Sequence, residues 1–119
     1  MARFGNNLKL TVDRAHRPAL GAAFEALGAM VVQSPRPDLE LYKLDGFQIG
    51  AFYVEAKDAL SIEDQHKGAW LEILVADVDG TVKRLVALGL TKIDYADPSH
   101  TYFQLPGGPV FRLAAASGP

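Results

Sequence analysis

Leu71-Glu72-Ile73-Leu74-Val75, followed by Ala87-Leu88-Gly89 and then by Pro106-Gly107-Gly108, repeats an order met earlier as Leu8-Lys9-Leu10-Thr11-Val12, Ala26-Leu27-Gly28 and Asp45-Gly46. Both five-residue runs carry the alternating or apolar pattern of half-buried strands. A helix is expected after each. Over residues 15–27, Leu20, Phe24 and Leu27 recur at i, i+4 and i+7, with Pro18 near the entry, where its missing N–H does no harm. Val78, Val82, Leu85 and Leu88 give the second helix the same stripe, and Asp77 or Asp79 can cap its first amides for about 1 kcal/mol. Both helices end at glycine, Gly28 and Gly89, where the chain must turn left-handed to leave the helix.

The register of the repeat holds through a further strand pair. Gly28 and Leu44 are sixteen positions apart, as are Gly89 and Leu105, and each leucine precedes a hairpin turn. Phe47-Gln48-Ile49-Gly50-Ala51 and Pro109-Val110-Phe111-Arg112-Leu113 then close the two copies. Each copy reads strand, helix, three strands, so the fold class is α+β: two tandem βαβββ modules in one domain over residues 1–119. Module one covers about 6–55, a connector about 56–68, and module two about 69–116. The connector is polar, with Asp58, Ser61, Glu63, Asp64 and Lys67, and predicts one or two helical turns capped by Ser61. A single module leaves one face of its sheet bare. Two together are expected to curve a mixed sheet around a cleft.

Composition narrows the function classes. A chain of 119 residues, 49% apolar and 22% charged, is long enough for one core without disulfide or metal staples. No apolar run approaches the ~20 residues of a spanning helix, and residues 1–7 lack the apolar segment of a secretory signal. The expected setting is the cytoplasm, with no membrane. Without cysteine there is no disulfide, thiolate ligand or cysteine nucleophile. The net charge of −2, with both signs interspersed, offers no basic face to nucleic acid. A small organic molecule or a protein partner remains.

Strand alternation assigns the faces. If Leu8, Leu10, Val12, Leu71, Ile73 and Val75 face the helices, then Asn7, Lys9, Thr11, Trp70, Glu72 and Leu74 face the cleft. Val110 and Arg112 join them from the last strand, with Gln48 and Gly50 opposite. A buried guanidinium must meet a carboxylate, a phosphate or water. Arg112 therefore either pairs with Glu72 or anchors an acidic group of a ligand; Lys9 is a rival partner for Glu72. Trp70 can stack on a planar ligand or pack at an interface. Gly50 leaves room for a ligand or for a close backbone approach. Glu72 and Tyr102 could exchange protons, although one carboxylate on a strand is generic. The candidate ligand-binding set is Asn7, Lys9, Gln48, Gly50, Trp70, Glu72, Tyr102 and Arg112. No catalytic residue is singled out. Ser-His-Asp sets, phosphate-binding glycine loops and dinucleotide fingerprints are not visible. His16, His66 and His100 read as solvent-facing loop histidines without ligand spacing; Tyr42, Tyr53 and Phe103 read as packing residues.

The run Trp70-Leu71-Glu72-Ile73-Leu74-Val75-Ala76-Asp77-Val78-Asp79, then Leu85-Val86-Ala87-Leu88-Gly89, then Tyr102-Phe103 before Pro106-Gly107-Gly108-Pro109-Val110-Phe111-Arg112-Leu113, resembles the C-terminal module of the vicinal oxygen chelate superfamily. That group includes glyoxalase I, bleomycin-resistance proteins and extradiol dioxygenases. The resemblance spans nearly the whole chain and is sharper in its second half. It implies paired modules around a cleft, commonly completed in a homodimer. In enzymatic members it also implies a divalent metal held by His, Gln or Glu from the first and last strands of each module. Those positions fall on Asn7, Trp70, Gly50 and Arg112. Zn²⁺, Fe²⁺ or Mn²⁺ need lone-pair donors, and these four offer one amide oxygen and one cation that repels a metal. The expectation is therefore no metal and no other cofactor. The leading reading is a metal-independent homodimeric protein that binds a small aromatic or acidic molecule, in the manner of the bleomycin-resistance branch, with binding rather than turnover as its leading role. One alternative is a metal-dependent glyoxalase-type lyase or a dioxygenase with atypical ligands. The other is an interaction module whose cleft is filled by its own side chains.

Overall fold

Residues 1–116 are described by a computed structural model. Module one contains β1 (Asn7–Asp13), α1 (Arg17–Ala26), β2 (Met30–Gln33), β3 (Leu39–Leu44) and β4 (Phe47–Val54). The connector holds a 3₁₀ turn at Ala56–Asp58 and the short helix α2 (Ile62–Lys67). Module two contains β5 (Leu71–Val75), α3 (Val78–Ala87), β6 (Lys92–Ile93), β7 (Thr101–Gln104) and β8 (Val110–Ala115).

Local chemistry sets most of these boundaries. The first helix begins later than its apolar stripe predicts, because Arg14–His16 form a 3₁₀ turn in which the Asp13 side chain accepts from the Ala15 amide. The α-helix proper opens at Arg17, with Pro18 in its first turn. Of the two candidate caps for α3, Asp77 takes the role and accepts from the Gly80 N–H at 3.0 Å. Ser61 caps α2 by accepting from the Asp64 N–H at 3.1 Å. Gly28 and Gly89 leave their helices at φ +87° and +84°, a conformation that costs a side chain about 1–2 kcal/mol.

The strands form two separate four-stranded sheets, ordered β1-β4-β3-β2 and β5-β8-β7-β6. In each, the first strand of the module runs parallel to the last and the other pairs are antiparallel. Lys9 pairs with Gly50 in one sheet and Glu72 with Arg112 in the other. Arg112 thus occupies in module two the place that Gly50 occupies in module one.

The helix-facing sides of both sheets share a single apolar core. Val12, Phe24, Tyr42, Ile49 and Ala51 of module one belong to the same buried cluster as Ile73, Leu85, Phe103, Phe111 and Leu113 of module two. Burial of each large side chain is worth about 1.5–3 kcal/mol, so this cluster also joins the modules. Helix α1 touches α3. The Pro106-Gly107-Gly108 turn reaches across to module one, where Gly107 lies against His16, and Gln65 donates to the Gly107 carbonyl at 3.4 Å. Tyr42 and Tyr53 pack in the core as expected, but they also bring paired hydroxyls. The two phenols are 2.7 Å apart, Tyr42 donates to Glu40 at 3.0 Å, and Arg17 donates to Glu40 at 2.9 Å while lying 4.8 Å over the Tyr53 ring. Among the described residues no helix is long and apolar enough to cross a membrane.

Candidate functional site

With the helices packed on one side of each sheet, the opposite faces are left open, and the eight candidate residues lie along them in two groups. Asn7, Lys9, Gln48 and Gly50 belong to the sheet of module one, and Glu72, Tyr102 and Arg112 to that of module two, with Trp70 immediately before its first strand. Among the described residues no hydrogen bond, ion pair or ring contact joins one group to the other.

The module one face is sparse. Gln48 donates to the Asn7 side chain at 3.4 Å. Lys9 does not pair with Glu72; its ammonium lies 5.0 Å over the Phe52 ring, which Arg36 also approaches at 5.2 Å. The space expected beside Gly50 is bounded by Leu39 and Leu41, which a Cβ there would meet in ordinary van der Waals contact at 3.5 and 3.6 Å. A groove of about 530 Å³ adjoins this face, with Asn7, Lys43, Phe47 and Gln48 in its wall.

Module two holds the denser constellation, centred on Arg112. Register places Glu72 directly across from Arg112 on β5 and Tyr102 across from it on β7. The guanidinium donates through Nε to Oε2 of Glu72 at 2.7 Å and approaches the same oxygen through a second nitrogen at 2.7 Å, so two nitrogens share one carboxylate oxygen. Its remaining nitrogen lies 3.3 Å from the Tyr102 hydroxyl and 3.5 Å from Asp97. The plane sits 4.8 Å over Trp70. Hydrogen bonds donated to Tyr102 and Glu72 hold Arg112 more firmly protonated than usual. The fork that could have gripped an acidic ligand is thereby spent on the protein's own carboxylates.

Around it runs an aromatic row. Tyr102 meets Trp70 edge-on at 6.0 Å and stacks on Tyr95 at 4.6 Å. Tyr102 is buried, whereas Trp70 and Tyr95 keep 40% and 46% of their surface in solvent and neighbouring Leu74 keeps 57%. Val110, assigned to the same face by alternation, is covered.

Asp97 and Tyr95 were not among the sequence candidates, because residues 94–100 form an irregular loop without periodicity. Their only sequence signal is the Asp97-Pro98-Ser99 turn. Asp97 accepts from the Ser99 amide at 2.9 Å, from the Ser99 hydroxyl and from Tyr102 at 3.0 Å, and it contacts His100 at 3.0 Å. The Ser99 bonds, followed by those of Tyr102 and His100, hold its carboxyl well below the usual carboxylate range.

The histidines depart from the expectation of three free loop residues. His100 is half-buried on Asp97 and His16 half-buried against Gly107, because the tertiary fold closes a loop over one and a hairpin over the other; only His66 is exposed. Asp97, Ser99 and His100 are adjacent, yet they do not form a nucleophilic triad. Both Ser99 and Asp97 contact Nδ1 of His100, whereas a relay needs the serine on one ring nitrogen and the carboxylate on the other.

The metal implied by the resemblance does not suit these residues. Asn7 and Gly50 lie in one sheet, and Arg112 lies in the other with Trp70 immediately before its first strand; the guanidinium already stacks on the indole and is paired with Glu72. Among the described residues no three His, Cys, Asp or Glu side chains stand close enough to share an ion.

No family model matches the chain, and no curated protein does. Solved structures do match over nearly the full length. A glyoxalase family protein from Bacillus anthracis is 15% identical at a TM-score of 0.70, covering 98% of each chain. The fosfomycin resistance protein FosX from Listeria monocytogenes is 16% identical at 0.68, covering 100% of this chain and 95% of its own. A protein from Agrobacterium tumefaciens is 22% identical at 0.67, covering 98% and 100%. The chain has the fold of the glyoxalase and fosfomycin-resistance proteins, the fold of the vicinal oxygen chelate superfamily.

Proposed function

We propose that this chain is a metal-independent, cytoplasmic small-molecule-binding protein that works as a homodimer, with a planar ligand lying on the aromatic row of module two. The observation that carries this reading is the open face itself: two partly exposed rings, Trp70 and Tyr95, flank a charged centre in which an arginine stands where a metal donor would be needed. Exposed rings with one free surface favour stacking, worth about 0.5–1.5 kcal/mol beyond area burial. The homodimer is supported by the bare sheet faces of the two modules, which a second copy can cover at their edges while leaving the aromatic row of module two to the ligand. A crystal of a FosX variant from Listeria monocytogenes contains Mn(II) and a dihydroxypropylphosphonic acid. The donor set of this chain argues against carrying that chemistry over.

The test is elemental analysis of the purified chain after mild chelation and re-addition of Zn²⁺, Ni²⁺, Mn²⁺ and Fe²⁺, with the melting temperature and sedimentation followed in parallel. The expected result is a dimer that retains no stoichiometric metal and whose melt no ion shifts. A tightly held ion that stabilises the fold overturns the reading in favour of a lyase or dioxygenase with atypical ligands.

A second reading has one observation behind it. Arg112 is fully engaged by Glu72, Tyr102, Asp97 and Trp70, as in a face filled by its own side chains. An interaction module of that kind would dimerise and leave Trp70 inaccessible to any small aromatic probe.

A further inference from the structure

We infer that the ligand class of the module two face is a planar aromatic cation. This rests on the reading of that face as a ligand surface and goes beyond it by assigning the ligand's charge.

Three observations converge. First, the positive charge of Arg112 is not available to an anion. Glu72 takes two of its nitrogens at 2.7 Å, and the third faces Tyr102 and Asp97. A carboxylate or phosphate entering here would have to displace one of the two carboxylates and would be repelled by the other. Second, the centre carries two carboxylates against one guanidinium: Arg112 meets Glu72 at 2.7 Å and Asp97 at 3.5 Å, which leaves one negative charge in excess on the carboxylate side. Of the further partners of Asp97, the hydroxyls of Ser99 and Tyr102 orient that carboxylate without cancelling its charge, and His100, 3.0 Å away, offsets it only when its ring is protonated. Hydrogen bonding also holds the Asp97 pKa far down, so it stays ionised through the whole neutral range. Third, the exposed part of the site is aromatic. Trp70 and Tyr95 are both about half open, and a ring quadrupole attracts a cation placed over its face within about 6 Å. The protein already uses this attraction internally, with Arg112 at 4.8 Å over Trp70. A flat, positively charged heterocycle satisfies both the rings and the surplus carboxylate, whereas a neutral ring satisfies only the first and an anionic ring opposes the second.

Trp70 is the only tryptophan of the chain, so its indole N–H gives a single cross-peak that reports on this face alone. We would titrate the ¹⁵N-labelled protein at neutral pH with three probes that share one ring system: N-methylquinolinium, quinoline and quinoline-2-carboxylate. The cation is expected to move the Trp70 cross-peak saturably with a Kd about ten-fold below that of the anion, the neutral probe falling between them. Glu72→Gln, which leaves one carboxylate against one guanidinium, is expected to bring that ratio to about two-fold or less. The wild-type protein in 0.5 M NaCl gives the same narrowing through screening and requires no variant to fold. Saturable binding with equal affinities, or with the anion tightest, overturns the charge assignment while leaving the ligand surface standing. A Trp70 cross-peak that none of the three probes moves overturns the ligand surface and, with it, this inference.

Discussion

Substituting Gly107 tests how the two modules are docked, because the turn that carries it belongs to module two and its contact belongs to module one. Gly107 sits at φ +70°, and a Cβ added there would stand 2.7–2.8 Å from Cδ2, Cγ and Cβ of His16. Two penalties therefore combine. The left-handed conformation costs an alanine about 1–2 kcal/mol, and overpacking a well-filled contact adds about 1–3 kcal/mol. Gly107→Ala is expected to cost about 2–5 kcal/mol in total. Gly28, Gly46 and Gly89 provide the internal control: all three have positive φ, but nothing lies within 4 Å of their added Cβ, so alanine there carries the first penalty alone. Urea unfolding of the four variants, monitored at two wavelengths to check two-state behaviour, measures the difference. The steric part can then be isolated by a double-mutant cycle with position 16. His16→Ala is a poor reliever, since the His16 Cβ itself stands 2.8 Å away, whereas His16→Gly removes all three of these close contacts. Coupling of about 1 kcal/mol or more is expected with glycine at 16, and little with alanine. If Gly107→Ala costs no more than Gly89→Ala, or if His16→Gly shows no coupling, the docking of the hairpin on the entry of α1 is wrong, and so is the assignment of the open faces that depends on it.

The buried phenol pair makes a second prediction. Removing the hydroxyl with Tyr42→Phe leaves the Tyr53 hydroxyl and Glu40 each short of a partner and is expected to cost about 1–3 kcal/mol in the same unfolding assay. Burial, aided by the neighbouring phenol and Glu40, raises the pKa of Tyr42, and burial also raises that of Tyr53. A group whose folded pKa lies above its unfolded value loses its contribution as pH rises, so stability should fall above the ordinary tyrosine pKa of 10.0. A spectrophotometric titration should show these two phenols ionising only with unfolding; ionisation near the ordinary value in the folded state would contradict the network. Asp97 makes the opposite case. Its folded pKa is depressed, chiefly by Ser99, so its contribution is present above the ordinary aspartate value of 3.8 and is lost as pH falls through the lower folded value. NMR titration of the side-chain carboxyls should find Asp97 titrating below the exposed aspartates, and Ser99→Ala should move it upward. A midpoint at the ordinary value would mean the loop over residues 94–100 is not held as described.

The order strand, helix, three strands was legible twice in the sequence because each element left a periodic trace: alternation in β1 and β5, the i, i+4, i+7 stripe in α1, and glycine at the two helix exits and two hairpins. Caps were legible at Ser61 and, as one of two choices, at Asp77, since capping is a contact between near neighbours. The equivalence of Gly50 and Arg112 also follows from the repeat, because positions within the two copies are counted along the chain; the parallel pairings of Lys9 with Gly50 and of Glu72 with Arg112 do not. Faces follow from the two-residue period of strands, which is why the candidates do lie on the open sides of the sheets.

Contacts that cross long stretches of irregular chain could not be read in this way. Arg112 had two partners open to it and Glu72 had two. Only the placement of Asp97, carried by a loop without periodicity, turned an ion pair into a centre with a surplus negative charge. His16 looked free because nothing nearby in sequence covers it; a hairpin ninety-one positions away does. What bounds the space beside Gly50 is Leu39 and Leu41 of β3, which no local pattern places there. The sequence by itself determined the elements, their order and which residues share a face, all of which depend on the backbone period and on neighbours a few residues apart. Only the tertiary structure decided that the eight candidates divide between two sheets and that Arg112 is already satisfied, because those facts depend on how separate segments pack in space.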